Sequence, residues 1–301
     1  EINESVTEVI ITNQQNGILI FNKVLGSVKS WRFRGEELIQ NGPEPNFWRA
    51  PTDNDLGNGM PQRCAIWRDA DTDWDLVNID VQNSDHTVTM VVESKHNHSS
   101  SNLRVEYTYG SNGNLAVSQY LSVVQNDLPE LPRFGLKMTL PAQFDQFTWF
   151  GRGPHENYWD RKTSAAIDLY FRSVWEQTFP YIRPQETGHK TDLRWMALSN
   201  GKVGLLATAK NLIEGSAHRY PYSDLDYIPN SQKHGKLDIQ SKNQVDWLID
   251  HKQMGVGGDN SWGAQPHEQY TLPAQNYEFT FQLIPFKTGG NLFKIYQQGH
   301  H

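Results

Sequence analysis

Apolar and polar residues alternate along much of this chain, and this pattern restricts the fold more than any other feature of the sequence. Residues 103–109 and 277–283 place apolar side chains at every odd position and polar side chains at every even position. A period of two is typical of a strand with one buried face. Turn-forming residues separate such runs at Gln15-Asn16-Gly17, Ser111-Asn112-Gly113-Asn114 and Asn200-Gly201. These segments predict antiparallel hairpins.

Helical periodicity is almost absent from the sequence. The best short candidate runs from Asp224 to His234, and Pro229 interrupts it. Regular short strands without intervening helices favour an all-β antiparallel sandwich over a parallel α/β sheet. Because no repeat, linker or shift in composition marks a boundary, we predict a single domain over residues 1–299. His300 and His301 are set apart as a candidate tag remnant.

Composition excludes several classes of protein. The chain has 301 residues, of which 37% are hydrophobic, so it can bury a substantial core. The net charge of -7 is scattered, which argues against nucleic acid as a partner. No apolar stretch approaches the roughly 20 residues needed to span a membrane, and the N-terminus does not resemble a signal peptide. We therefore expect a soluble chain, cytoplasmic or periplasmic. Cys64 is the single cysteine, which excludes an internal disulfide, and we expect a structural role for it.

Residues 46–57 are rich in polar and turn-forming side chains. Asp53, Asn54 and Asp55 have oxygen atoms that suit a hard cation. The spacing does not match a calcium loop, because Gly57 stands where that loop requires a ligand. We favour the interpretation that the two aspartates cap a turn.

Two further segments, residues 149–161 and 181–195, concentrate glycine, proline and charged residues. Gly151-Arg152-Gly153 begins like a dinucleotide-binding pattern, but Pro154 follows it and no helix-opening glycine does, so we reject a nucleotide site. Glu186 and His189 are of types that can transfer protons. Both can equally belong to a polar network that braces loops against the sheet, and we favour that hypothesis.

A fourth segment, residues 254–263, has three glycines shortly before Trp262. Such a loop has little side-chain bulk, so the indole is expected to be exposed. The apolar C–H faces of a pyranose pack on aromatic rings, and Asp259 and Asn260 can form hydrogen bonds with sugar hydroxyls. This combination suits a sugar-binding site. Most of the 10 tryptophans must serve core or edge packing, however, and packing stays open for Trp262.

Taken together, these segments resemble the C-terminal domain, or small chain, of β-galactosidases of glycoside hydrolase family 2. Residues 47–55, 151–161 and 254–262 are similar to three signatures of that domain and occur in the same order. The resemblance runs from about Val9 to Leu283. It implies a large antiparallel super-sandwich, similar to that of aldose mutarotases.

The resemblance also implies that, within a larger β-galactosidase, this domain and the catalytic domain have different roles. A retaining mechanism needs two carboxylates about 5 to 5.5 Å apart, and in this family they lie on a TIM barrel that is not present here. We therefore expect no catalytic residue, cofactor or metal in this chain, magnesium in the barrel, and no hydrolysis by the isolated chain. The expected partners are β-galactoside sugars and the barrel of the same polypeptide. The full enzyme is expected to be a homo-oligomer.

The site residues follow from the same resemblance. Trp262 matches a tryptophan that stacks on the sugar, and Asp259 and Asn260 are weaker candidates for substrate binding. Residues from Gly57 to about Arg63 correspond to a mobile loop beside the sugar pocket, and in this chain that loop includes Gly57, Asn58 and Gly59.

Two alternatives remain open. The first is a free-standing aldose epimerase related to mutarotases, in which Glu186, His155 and His189 supply acid and base groups. The second is a carbohydrate-binding module that only adheres to sugars. The glycine-rich loop around Trp262 favours completion of a pocket over a flat adhesion platform.

Overall fold

The computed structural model describes residues 1–13, 17–69, 73–228 and 238–299, and antiparallel strands make up about half of it. In chain order the strands are β1 (Ile2–Glu4), β2 (Glu8–Thr12), β3 (Gly17–Asn22), β4 (Ser27–Phe33), β5 (Glu36–Ile39), β6 (Asn41–Asn46), β7 (Trp74–Asn83), β8 (Thr87–His96), β9 (Asn102–Gly110), β10 (Leu115–Ser122), β11 (Arg133–Pro141), β12 (Gln146–Gly153), β13 (Ala166–Ser173), β14 (Lys190–Ser199), β15 (Val203–His218), β16 (Gln244–Gln253) and β17 (Tyr277–Lys287). The helices that lie wholly within the described residues are the α-helices α1 (Asp53–Gly57), α2 (Met60–Arg63) and α3 (Leu292–Gln298) and the 3-10 helices Ala65–Trp67, Trp175–Gln177, Tyr222–Leu225 and Glu268–Tyr270.

The strands form two sheets. Strands β1 to β5 make a five-stranded sheet in chain order, and the other strands make a 12-stranded sheet. The larger sheet runs β13-β12-β14-β15-β17-β10-β9-β8-β7, with β16, β11 and β6 attached in turn at β15. Neighbouring strands are antiparallel, which confirms the predicted all-β antiparallel fold.

The hairpins and buried faces agree with the alternation in the sequence. Residues 111–114 connect β9 to β10, and residues 200–202 connect β14 to β15. At the second turn Gly201 has a φ of +86°, a conformation that glycine adopts without strain. The apolar residues at odd positions of β9 are buried, as predicted.

Two predicted features fall partly outside the described residues. Gln15 and Asn16 of the first predicted turn are among the residues that the structure does not describe. Of the short helical candidate at 224–234, residues 229–234 lie outside the described ranges. The first two residues of the candidate, Asp224 and Leu225, form the end of the 3-10 helix Tyr222–Leu225.

The two sheets pack against each other through a shared hydrophobic cluster. The rings of Phe21 on β3 and Tyr107 on β9 are 5.2 Å apart, and Trp31 on β4 meets Tyr109 edge-on at 5.9 Å. Aromatic pairs at these distances add to the stabilisation that comes from burial. The small sheet therefore contributes directly to the core of the large one.

The segment after β6 differs from the sequence expectation. The resemblance implies a loop over residues 57–63, but they contain the end of α1 and all of α2. Pro61 is compatible with this helix because the first turn leaves its backbone N–H groups without an intrahelical partner. Met60 is fully buried and fixes α2 to the core. That the segment is mobile stays a prediction.

Candidate functional site

The start of α1 is closed by a capping box. The Asp55 backbone N–H donates to Thr52 Oγ1 at 3.2 Å, and the Thr52 N–H donates to Asp55 Oδ2 at 2.9 Å. Of the two aspartates expected to cap a turn, Asp55 does so. Asp53 instead accepts hydrogen bonds from the side chains of Arg183 and Gln185.

Buried Arg49 connects α1 to the glycine-rich segment. Its guanidinium donates to both carboxylate oxygens of Asp55, at 3.0 and 2.6 Å, and to the carbonyls of Met254 and Gly255. Burial disfavours the charged form, but the facing Asp55 outweighs it, so the pKa of Arg49 is raised. Asp55 is therefore an ion-pair partner in the interior and has no free oxygen for a cation.

The loop of residues 254–264, called the Trp262 loop below, is held at its base by further contacts. The Asn54 amide donates to the carbonyl of Val256 at 3.0 Å, and the Gly257 N–H donates to Asp160 Oδ2 at 2.7 Å. Gly57 lies against the tip, since a Cβ there would be 3.0 Å from the carbonyl oxygen of Ser261. The base of the loop is consequently fixed to α1 and to residue 160.

The tip of the Trp262 loop projects from this base. Trp262 is 82% exposed, so the exposure predicted from the glycines is confirmed. Asn260 Oδ1 accepts from the N–H groups of Trp262 and Ala264, which shapes the turn. Asp259 is exposed and pairs with His267 at 2.9 Å. These three candidates lie together at one tip, and sugar contact by any of them remains a proposal.

A cavity of about 370 Å³ lies beside the Trp262 loop. Its lining comes from the α1 start, from the segments around residues 158 and 185, and from the loop: Thr52, Asp53, Asn54, Tyr158, Arg161, Tyr181, Gln185, Glu186, Val256 and Ser261. Most of its lining is polar, which suits a hydroxyl-rich molecule better than an apolar one.

Glu186 and His189 are both buried, but their ionic partners differ. Glu186 accepts hydrogen bonds from Arg133, at 3.0 Å, and from the Tyr222 hydroxyl. His189 Nε2 is 3.1 Å from Glu214. These contacts give each side chain a structural partner, as a bracing network requires.

Asp250 joins the two halves of this network. Its carboxylate lies 3.8 Å from Arg133 Nε and 3.9 Å from His189 Nδ1. Burial raises the pKa of Asp250 to about 6. His155, the third acid or base candidate, is exposed and contacts Ser164 instead. The structure therefore favours the network hypothesis over an assembled acid–base site.

Other candidate chemistries receive no support from the described ranges. Within them no cluster of three or more His, Cys, Asp or Glu side chains is arranged to hold a metal ion. Cys64 is buried, and burial raises the pKa of its thiol to about 12, which suits a structural cysteine. Gly151 and Gly153 belong to β12 and not to a helix start. In the same ranges no helix has both the length and the apolar character needed to cross a membrane.

Sequence reasoning missed the residues that hold the Trp262 loop in place. Arg49 donates a hydrogen bond to the carbonyl of Met254, 205 residues further along the chain. Asp160 accepts a hydrogen bond from the Gly257 N–H, 97 residues away. The sequence signal for Arg49 and Asp160 is that they lie in residues 47–55 and 151–161, two of the segments that resemble family signatures.

Comparison with known sequences identifies relatives over most of the chain. A model of the family described as the β-galactosidase small chain matches residues 13–283. The β-galactosidase of Priestia megaterium is 40% identical over 272 residues, which cover 90% of this chain and 26% of that protein. The β-galactosidase of Halalkalibacterium halodurans is 34% identical and covers 88% of this chain and 26% of that protein. The chain thus spans about a quarter of the length of these relatives.

A solved structure with a TM-score above 0.5 shares the fold at low sequence identity. A TPR-domain containing protein from Parabacteroides distasonis has a TM-score of 0.55 and 11% identity, over 95% of this chain and 48% of that one. A galactose 1-epimerase from Lactobacillus acidophilus has a TM-score of 0.49 and 10% identity, over 93% of this chain and 94% of that one. Since the family model covers residues 13–283, this chain belongs to the β-galactosidase small chain family.

Proposed function

We propose that this chain is part of a β-galactosidase that hydrolyses terminal β-D-galactosides, and that its role is to complete the sugar-binding pocket. Membership of the small chain family and the names of the relatives support this proposal. The share of those relatives that the chain covers, 26%, leaves room for a separate catalytic domain in the same polypeptide.

The observation that carries the proposal is the exposure of Trp262 on an anchored loop. An indole that is 82% exposed presents a large aromatic surface that a ligand can contact. Buried Arg49 holds the base of that loop, so the ring is presented from a fixed support. A fixed, exposed aromatic face suits the C–H face of a pyranose.

The chemical step belongs, in this proposal, to the rest of the polypeptide. A TIM barrel supplies two carboxylates for a retaining mechanism and holds the magnesium ion. This chain contributes residues 1–299 as a single domain, and the complete enzyme is a homo-oligomer. Asp259 and Asn260 assist substrate binding through their polar groups.

The experiment is Trp262→Ala in the complete polypeptide. Loss of one stacking contact should cost about 0.5 to 1.5 kcal/mol beyond area burial, and it should appear mainly as a higher KM for a β-galactoside. The melting temperature should change little, because the indole is exposed. Trp262→Phe keeps an aromatic face and should restore part of the affinity.

Phe171→Ala is a suitable control, since Phe171 is 60% exposed on β13 and does not line the cavity beside the Trp262 loop. It should leave KM unchanged. If Trp262→Ala lowers the melting temperature by many degrees at an unchanged KM, the residue serves packing and the proposal is wrong.

A further inference from the structure

Strand β13 forms an exposed edge of the larger sheet. All eight of its residues pair with β12 without a register shift, and within the described ranges no strand pairs with its other side. Tyr170 stacks on Trp149 of β12 with ring centroids 5.3 Å apart, which fixes β13 to the sheet. A regular strand at an edge presents backbone N–H and C=O groups with which a further strand can pair.

The other edge strands of the described sheets are protected against such pairing. Strands β1 and β5 have only three and four residues. Strand β6 contains Pro43 and Pro45, which have no backbone N–H to donate. Strand β7 is interrupted by a register shift between Leu76 and Asn78. Short length, proline and bulges each discourage the addition of a strand, and none of the three applies to β13.

One face of β13 is apolar and exposed. Ile167, Leu169 and Phe171 alternate along this face and are 45% to 60% exposed. Opposite Leu169 on β12 is Phe150, whose ring lies 5.2 Å from that of Phe293 on α3. The row of β13 is therefore continuous with a further aromatic pair, and an apolar surface of this kind suits contact with another protein surface.

The opposite face of β13 carries one negative and one positive side chain. Asp168 accepts a hydrogen bond from the Leu169 N–H, and Arg172 donates one to the carbonyl of Phe171. Among the described residues neither of these two charged side chains forms an ion pair with another side chain. Both charges are consequently available to a partner that pairs with this edge.

The order of these residues makes β13 complementary to itself. When two copies of one strand pair antiparallel about a twofold axis, each residue lies opposite its mirror position along the strand. An axis at Tyr170 places Asp168 opposite Arg172 of the second copy, twice by symmetry, and Leu169 opposite Phe171. An axis at residue 169 or 171 places one of the charges opposite Tyr170 instead. An axis between two residues would bring the apolar face of one copy opposite the charged face of the other.

We propose that β13 pairs antiparallel with β13 of a second copy of this chain, about a twofold axis at Tyr170. The pairing extends the larger sheet across both copies, covers the apolar row and joins the opposite charges. The inference rests on the homo-oligomer in the proposed function and specifies the surface through which it assembles. No residue of β13 lines the cavity beside the Trp262 loop, so the pairing leaves that cavity open.

The test measures the dissociation constant of the complete polypeptide by analytical ultracentrifugation. Arg172→Asp places two carboxylates opposite each other at both ends of the pairing, so the dissociation constant should rise by about tenfold or more. Asp168→Arg combined with Arg172→Asp restores opposite charges in exchanged positions. This double variant should return the dissociation constant to within about threefold of the unmodified value.

Arg104→Asp is the matched control. Arg104 is an exposed arginine on β9, which lies between β8 and β10 and so has no free edge. This variant should associate like the unmodified protein. An unchanged dissociation constant in Arg172→Asp, or a double variant that does not regain association, would overturn the pairing.

The same measurement separates this inference from the proposed function. An oligomer that Arg172→Asp leaves intact would overturn the pairing alone, and the homo-oligomer would stand. A monomeric unmodified polypeptide would overturn both the pairing and the homo-oligomer. The effect of Trp262→Ala on KM tests the sugar-binding role in either case.

Discussion

At the scale of single residues, Arg49 shows how a buried charged side chain holds two distant segments together. Its side chain is fully buried and forms a two-point ion pair with Asp55, whose side chain is 1% exposed. Arg49→Met leaves that carboxylate buried without its charge partner. We expect a loss of about 3 to 5 kcal/mol in the free energy of unfolding, measured by urea denaturation.

The exposed pair Arg104–Glu106 provides the control for this measurement. The two side chains are 48% and 25% exposed and 2.7 Å apart, so Arg104→Met should cost about 1 kcal/mol or less. Equal, small losses in the two variants would contradict an anchoring role for Arg49.

Because the ammonium group of Lys190 is buried, we predict that the stability of the protein depends on pH. Burial lowers the pKa of its ammonium from 10.5 to about 7, although the carboxylate of Glu156 opposes the shift. Between these values the unfolded chain holds a proton that the folded chain has lost, so the contribution of Lys190 to stability increases as pH rises. The stability difference between the unmodified protein and Lys190→Met should therefore grow in favour of the lysine from pH 7 to about pH 10.

Chemical denaturation at both pH values checks this expectation. Lys294→Met is a control on the exposed helix α3, and it should show no such trend. A constant difference between the unmodified protein and Lys190→Met would mean that Lys190 keeps its proton in the folded state.

The sequence could predict Trp262 as an exposed residue but not its support. Glycines at 255, 257 and 258 remove side-chain bulk near the indole, and that effect is local. The contact of Arg49 with Met254 joins residues 205 positions apart, and no local pattern contains such information. The exposed tip could therefore be read from neighbouring residues, whereas the anchor required the three-dimensional fold.

At the scale of secondary-structure elements, long strands were predictable and short helices were not. Strands β9 and β17 have nine and 11 residues, enough for the alternation to be unambiguous. Helices α1 and α2 have five and four residues, which is too short for helical periodicity to be visible. Glycine and proline in 57–63 favoured an irregular loop, yet capping by Thr52 and burial of Met60 produced helices.

The Trp262 loop yields a prediction at this scale. A Cβ at Gly258 would lie 2.7 Å from the carbonyl oxygen of Ala264, so Gly258→Ala forces the backbone of the loop to move. Because the position is exposed, stability should change little. If Trp262 contacts the sugar, the displaced loop should raise KM for a β-galactoside in the complete polypeptide.

Gly290→Ala serves as the control, since the nearest atom to a Cβ there is 3.6 Å away, at ordinary contact distance. Its KM should match that of the unmodified protein. An unchanged KM in Gly258→Ala would show that the position of the loop is unimportant for substrate binding.

At the scale of the whole molecule, buried charged side chains form a network of ion pairs that holds loops against the sheet. Arg133 lies between Glu186 and Asp250, and Glu214 is held by His189 and by Lys252 at 3.2 Å. Removing one partner from such a network leaves an uncompensated charge, so the network favours one arrangement of the loops. It connects β11, β15 and β16 to the segment that carries Glu186.

This arrangement leads to the last prediction, that the isolated chain does not hydrolyse a β-galactoside. Retaining hydrolysis needs two carboxylates about 5 to 5.5 Å apart, one of which must be free to attack the sugar. Asp55 and Glu186 are buried in pairs with Arg49 and Arg133, and Glu214 is paired with His189. Purified chain, shown by circular dichroism to be folded, should release no nitrophenol from a nitrophenyl β-galactoside, while the complete polypeptide should. Turnover by the isolated chain that disappears in Glu186→Gln would instead locate catalysis in this chain, because a contaminating enzyme would not respond to that substitution.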